Sequence, residues 1–221
     1  MIYVTGDVHA DISRFNVKCL KKNDTLIICG DFGFIWHGDR SEEKILKRIG
    51  KLPFYTLFVD GTHENFDLLK QYKLVPFAGS TARNIDGKLF HLTRGNIYEI
   101  EGKRIFAFGG GESYDKELRK IYDKYWSEEL PLISEMKYAV NNLNMVGRKV
   151  DYIITHEPTS RVKELLNLKH TNMNSLNKFF DELSENVEYD MWYFGSMHKD
   201  KQISFKQRAI FSDVIPINSK G

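Results

Sequence analysis

Six side chains that bind metals or move protons stand directly after short apolar runs. They are Asp7 and His9 in Gly6-Asp7-Val8-His9, Asp31 in Gly30-Asp31, His63 in Gly61-Thr62-His63-Glu64, His156 after Thr155, and His198 in Gly195-Ser196-Met197-His198. Carboxylates and imidazoles together make a hard-to-intermediate donor set that suits Mn²⁺ or Fe²⁺ and also admits Zn²⁺. Singly, each signal is weak, because Gly-Asp is a common turn and a lone histidine is more often structural than a ligand. Four of the seven histidines fall just past an apolar run, and that recurrence favours one shared site.

Residues so far apart in sequence meet only if the fold gathers them. The apolar runs Ile2-Tyr3-Val4-Thr5, Thr25 to Cys29, Tyr55 to Val59, Arg104 to Phe108, Tyr152 to Thr155 and Met191 to Phe194 read as buried strands. The crevice beyond the carboxyl ends of such strands is where open α/β sheets bind ligands, which is where these polar residues fall. Helical crossovers are predicted over Ile12 to Leu20 and Ser41 to Ile49, the latter with Ser41 as N-cap, Glu42 and Glu43 in its first turn, and Lys47 and Arg48 near its end. Between Ile85 and Phe108 the turn dipeptides Asp86-Gly87 and Glu101-Gly102 predict antiparallel hairpins, so the sheet is mixed. The stretch 112–146 reads as a helical insertion divided by Pro131, with Met136, Val140 and Leu143 on one face. With 221 residues and no Gly/Pro/Ser-rich linker, the expectation is a single domain over 1–221.

The ordered series Gly6-Asp7-Val8-His9, Gly30-Asp31, Gly61-Thr62-His63-Glu64, Thr155-His156 and Gly195-Ser196-Met197-His198 resembles that of calcineurin-like metallophosphoesterases. Asp60 to Asp67, Arg94-Gly95, Gly102-Lys103 and Trp126 to Pro131 are similar to a bacterial and phage branch of that family. The resemblance implies an α/β fold in which two packed, mixed sheets form a β-sandwich flanked by helices. It also implies a phosphoesterase in which metal-activated hydroxide attacks phosphorus, most simply a phosphodiesterase. Two divalent ions about 4 Å apart clamp the phosphoryl group in such enzymes.

Carried over by position, the resemblance implies that Asp7, His9 and His198 bind the first ion and that Asp31 bridges to the second. The second ion would add His156, an asparagine where this chain has Thr62, and a histidine where it has Ser196. Both departures strike the same ion. Neutral hydroxyls are poor ligands for these metals, so one strong site and a second that is weak or empty are expected. His63 is implied to assist the leaving oxygen, and Asp31 to orient the nucleophile. Arg94 and Arg119 are candidates for binding a substrate phosphate, since guanidinium matches phosphate oxygens bidentately. His37, His91 and His170 match no motif position, and packing is the expected fate of Trp36, Tyr114, Tyr122, Tyr125 and Trp126.

The composition, 42% hydrophobic and 28% charged, excludes a disordered chain, and a net charge of +2 is too small for a nucleic-acid footprint, which leaves that partner open. No apolar run reaches the roughly 20 residues of a membrane span, and a cytoplasmic protein acting on a small phosphorylated substrate or nucleotide is expected. Cys19 and Cys29 read as buried free thiols. The alternative to an enzyme is a weak or inactive binding protein on the same fold, sequestering a nucleotide or inhibiting a host protein, in a phage-encoded setting.

Overall fold

The computed structural model describes residues 1–166 and 173–217. Seven strands form one sheet: β1 (Ile2–Thr5), β2 (Thr25–Ile28), β3 (Tyr55–Phe58), β4 (Leu74–Phe77), β5 (Ser80–Asp86), β6 (Leu89–Leu92) and, from the chain's far end, β13 (Ile215–Pro216), in the order β13-β1-β2-β3-β6-β5-β4. Six form the other: β7 (Asn96–Ile100), β8 (Lys103–Phe108), β9 (Tyr152–Thr155), β10 (Met191–Phe194), β11 (Lys201–Ser204) and β12 (Gln207–Ala209), in the order β11-β12-β10-β9-β8-β7. In each sheet the central strands run parallel and the outer ones antiparallel. The chain changes sheet between β6 and β7, through Thr93-Arg94-Gly95.

Alternate residues of the central strands face opposite ways, and both faces are covered. Ile2, Val4, Ile27, Leu57, Ile105, Ile154 and Tyr193 fill the space between the sheets. Tyr3, Leu26, Ile28 and Phe58 face a helical layer that includes α1 (Arg40–Gly50) and α2 (Phe66–Leu69). On the far side, Phe106, Phe108, Ile153, Trp192 and Phe194 pack against α4 (Ile133–Met145) and α6 (Ser175–Asn186). Double coverage explains why these strands read as unbroken apolar runs rather than alternating ones. Each such side chain stabilises the fold by about 1.5–3 kcal/mol on full burial. The remaining helices are the short α3 (Lys116–Ile121) and α5 (Ser160–Leu165).

The expected sandwich of mixed sheets with flanking helices is thus observed, with local differences. Only a single 3₁₀ turn, Ile12–Phe15, occupies the crossover after β1, its N-terminus held by the Asp11 carboxylate, which accepts from Ser13 N–H at 2.9 Å. Asp39, not Ser41, caps α1, accepting from the N–H groups of Ser41 and Glu42 at 2.8 and 2.9 Å. Within 112–146 lie α3, a 3₁₀ turn at Ser127–Glu129 and α4. Cys29 is buried and Cys19 is exposed, and both are free. Among the described residues no helix is long and apolar enough to cross a membrane.

Candidate metal centre

The loops after β1, β2, β3, β9 and β10 converge at the carboxyl edges of both sheets. Asp7, His9 and His198 bring one donor atom each within 4.8 Å of one another, as do His9, Asp31 and His63, and Asp7, Asp31 and His156. His198 Nε2 lies 3.0 Å from both His9 Nε2 and Asp7 Oδ2. His9 Nε2 stands 3.7 Å from Asp31 Oδ2 and 3.9 Å from Asp7 Oδ2. Ligands about 2.1 Å from one ion sit roughly 3 to 4 Å apart, so this spacing fits a shared cation. Asp31 faces both halves: its Oδ2 looks toward His9, and its Oδ1 lies 3.6 Å from His156 Nε2.

Asp7 has no exposed surface, and neither of its carboxylate oxygens has an aligned hydrogen-bond donor. The imidazole nitrogens near them, His198 Nε2 and His156 Nδ1 at 3.0 and 3.4 Å, make charge contacts at poor angles. A buried carboxylate left this way is costly unless something positive meets it. The backbone carries the same signature. His9, Asp31 and His198 all adopt left-handed conformations, at φ of +47°, +44° and +47°, which cost about 1–3 kcal/mol each and cluster at functional sites. Gly195 and Gly61 allow close approach, since a Cβ at either would lie 2.1 Å from a site carboxylate, Asp7 Oδ1 or Asp31 Oδ1. These residues fit a divalent cation.

The other half is different in chemistry. Thr62 Oγ1 lies 3.4 Å from both oxygens of Asp31, and Ser196 lines the same cleft of about 180 Å³. His63 Nδ1 lies 2.7 Å from Asp31 Oδ2, and its Nε2 lies 3.0 Å from Arg119 Nη2. A guanidinium only donates, so Nε2 is the acceptor and the proton resides on Nδ1, facing Asp31. Trp36 lies nearly parallel to the His63 ring at 6.3 Å, and Trp126 meets Trp36 edge-on at 5.3 Å. Tyr114, expected to pack, is 89% exposed at the cleft rim, and Tyr122 is also exposed.

Of the two arginines, the structure brings only Arg119 to the cluster. Arg94 is buried elsewhere, its Nε donating to Asp60 Oδ2 at 2.9 Å and its Nη2 to the Glu128 carbonyl at 2.7 Å. Burial would raise the Asp60 carboxyl, but Arg94 and His91 outweigh it and hold the group well below the usual range. His91 is likewise structural, 2.9 Å from Asp60 Oδ1; His37 is exposed, and His170 lies outside the described residues. Sequence reasoning misses Lys163 and Glu157, a buried ion pair on the cleft wall, because a helical lysine ordinarily reads as solvated. It also misses the task of Glu64, whose carboxylate ties the loops after β2 and β3 by accepting from Phe32 N–H at 2.6 Å and Gly61 N–H at 2.8 Å.

Burial favours neutral imidazole, but at His156 the charges of Asp31 and Asp7 outweigh it and raise the ring well above its ordinary value. His198 is raised chiefly by its close contact with the Asp7 carboxylate, 3.0 Å away. A ring must be neutral to ligate, and a cation beside Asp7 and Asp31 offsets the charge that favours the protonated form of both rings. Mn²⁺ binding should therefore release roughly one to two protons, and affinity should fall as the pH is lowered. Titration calorimetry in buffers of different ionisation enthalpy checks this; an enthalpy independent of buffer would contradict it.

The family model for calcineurin-like phosphoesterases matches residues 1–200, and the chain belongs to that family, one of metal-dependent phosphoester hydrolases. No curated protein matches the chain. Among solved structures, a protein of unknown function from Aquifex aeolicus, AQ665, is similar at 16% identity, with 89% of each chain covered and a TM-score of 0.37. The phosphopantetheinyl hydrolase of Mycobacterium tuberculosis is similar at 11% identity, covering 95% of this chain and 89% of its own, with a TM-score of 0.38.

Proposed function

We propose that the chain is a phosphodiesterase acting on a small phosphorylated substrate or nucleotide in the cytoplasm, with one tightly held divalent ion, Mn²⁺ or Fe²⁺ before Zn²⁺. The observation that carries this reading is the contrast between the two halves of the cleft. Asp7, His9, Asp31 and His198 offer two carboxylates and two imidazoles, whereas His156 shares its half with the hydroxyls of Thr62 and Ser196. Charge supports the same count. The cleft is lined by four carboxylates, Asp7, Asp31, Glu112 and Glu157, and by two cations, Arg119 and Lys163. One divalent ion balances that deficit, while a second would overshoot it.

When bound, the ion supplies Lewis acidity toward a phosphoryl oxygen and lowers the pKa of water. Asp31 orients the nucleophile through the oxygen that faces His9. His63, held by Asp31 on one nitrogen and by Arg119 on the other, marks the leaving-group side. Turnover of an aryl phosphodiester with Mn²⁺ should fall by at least about 100-fold in Asp31→Ala and in His63→Ala, given the usual size of acid–base and electrostatic contributions. Activity indifferent to both substitutions would sink the assignment.

One contact favours a second reading, a binding protein with little or no turnover. Because Arg119 caps His63 Nε2, that nitrogen has no proton to give a leaving oxygen. Absence of turnover by protein holding one equivalent of Mn²⁺ would select this reading.

A further inference from the structure

Resting on the single-ion reading above, we propose that Arg119 takes the place of the second metal ion, as a fixed cation that binds the substrate phosphoryl group and keeps a second dication out. The guanidinium is 9% exposed and sits on the substituted residue itself: Nη1 donates to the Thr62 carbonyl at 2.6 Å, and Nη2 to His63 Nε2 at 3.0 Å. It is anchored from behind, with Nε 2.8 Å from Asp115 Oδ1. Of the five N–H donors a guanidinium carries, two make these hydrogen bonds, and Glu129 Oε1 lies 3.6 Å from Nη1 without forming one, so donors remain for a ligand. A guanidinium matches two phosphate oxygens at once.

A second cation lies on the same side. Lys163, 5% exposed, is paired with Glu157 and lines the cleft. A Cβ built on Gly111 would lie 2.9 Å from Thr62 Cγ2, 3.1 Å from His156 Cδ2 and 3.3 Å from Glu157 Cγ. The Lys163–Glu157 pair therefore belongs to the half that Thr62 and His156 share. The guanidinium charge of Arg119, in direct contact with Thr62 and His63, opposes a dication on that side. Loss of the asparagine and histidine ligands and gain of a fixed cation are then two sides of one change. The ligand class is a phosphate group held between one metal ion and a guanidinium.

The experiment is metal stoichiometry by equilibrium dialysis against Mn²⁺ and elemental analysis. Wild type and Thr62→Asn/Ser196→His should each hold one equivalent, and a second should appear only when Arg119→Gln is added to that pair. Two equivalents on Thr62→Asn/Ser196→His alone would overturn the proposal, as would a single equivalent on a folded triple variant. If the triple variant does not fold by circular dichroism, calorimetry with inorganic phosphate decides. Arg119→Gln loaded with one Mn²⁺ should then bind phosphate at least about tenfold more weakly than wild type, and unchanged affinity would overturn the proposal. Neither readout requires turnover, so a catalytically silent protein would sink the phosphodiesterase reading while leaving this test intact.

Discussion

Asp7→Asn should empty the metal centre and, in the same protein, raise the stability of the metal-free fold. Both effects come from one fact, that its carboxylate is fully buried with neither oxygen properly hydrogen-bonded. In the proposed centre this carboxylate is one of the two charged ligands of the first ion. Removing it should cost well over the roughly 10- to 100-fold in affinity that mere outer-shell changes cost. Without a cation, that charge faces Asp31 across His156 and is met only by the misaligned rings of His198 and His156, which leave both oxygens without a hydrogen bond. Neutralising it recovers about 1–3 kcal/mol, the usual penalty of an unsatisfied buried polar group, or more for a charge. In a chain of this size that corresponds to a melting temperature a few degrees higher. Thermal unfolding with and without chelator checks both signs: wild type should drop on chelation, and the variant should start higher than chelated wild type and ignore the chelator. A variant less stable than chelated wild type would contradict this account.

Arg94→Ala should have the largest effect on the fold, about 3–5 kcal/mol, because it strands a buried carboxylate rather than merely deleting a contact. Asp60 is 1% exposed, and its partners are Arg94 and His91. The guanidinium also closes the carbonyls of Glu128 and Glu129 and reaches Glu135 Oε2 at 3.3 Å. Urea unfolding at neutral pH should show the loss, and Arg94→Ala/Asp60→Asn should recover part of it. The pH dependence follows from the depressed Asp60 carboxyl. A lowered folded pKa contributes stability that is complete above the unfolded carboxyl value of about 4 and lost as pH falls through the folded value. Wild type should therefore keep this contribution until strongly acidic pH, and the variant should lack it throughout. A change below about 1 kcal/mol would mean that the pair is not what holds Asp60 in place.

These two residues show where the sequence is legible and where it is not. Asp7 is readable because its neighbours repeat a local pattern: an apolar run, a glycine, then a ligand. The six strand runs, five of which carry such loops, are readable for a related reason, since burial on both faces leaves them apolar throughout. Arg94 and Arg119 look alike in sequence, and what separates them is Asp60, 34 residues from one, and Thr62, 57 residues from the other. No periodicity encodes that choice. The edge strand Leu74–Phe77 is hidden by Pro76 and by half-exposed positions, as is usual at edges. The turn at Ile12–Phe15 lacks the length that apolar spacing over Ile12 to Leu20 suggests, because helical spacing and a folded-back loop bury the same few residues.

The division of the ligands between the sheets has a consequence for how the protein is made. Asp7 and Asp31 follow β1 and β2, whereas His198 follows β10, so 191 residues separate two groups that end 3.0 Å apart. A ribosome releases the two carboxylates long before the imidazole that joins them in the proposed metal centre. In the proposed centre the complete donor set of the first ion, Asp7, His9, Asp31 and His198, therefore assembles only once both sheets have met, late in maturation.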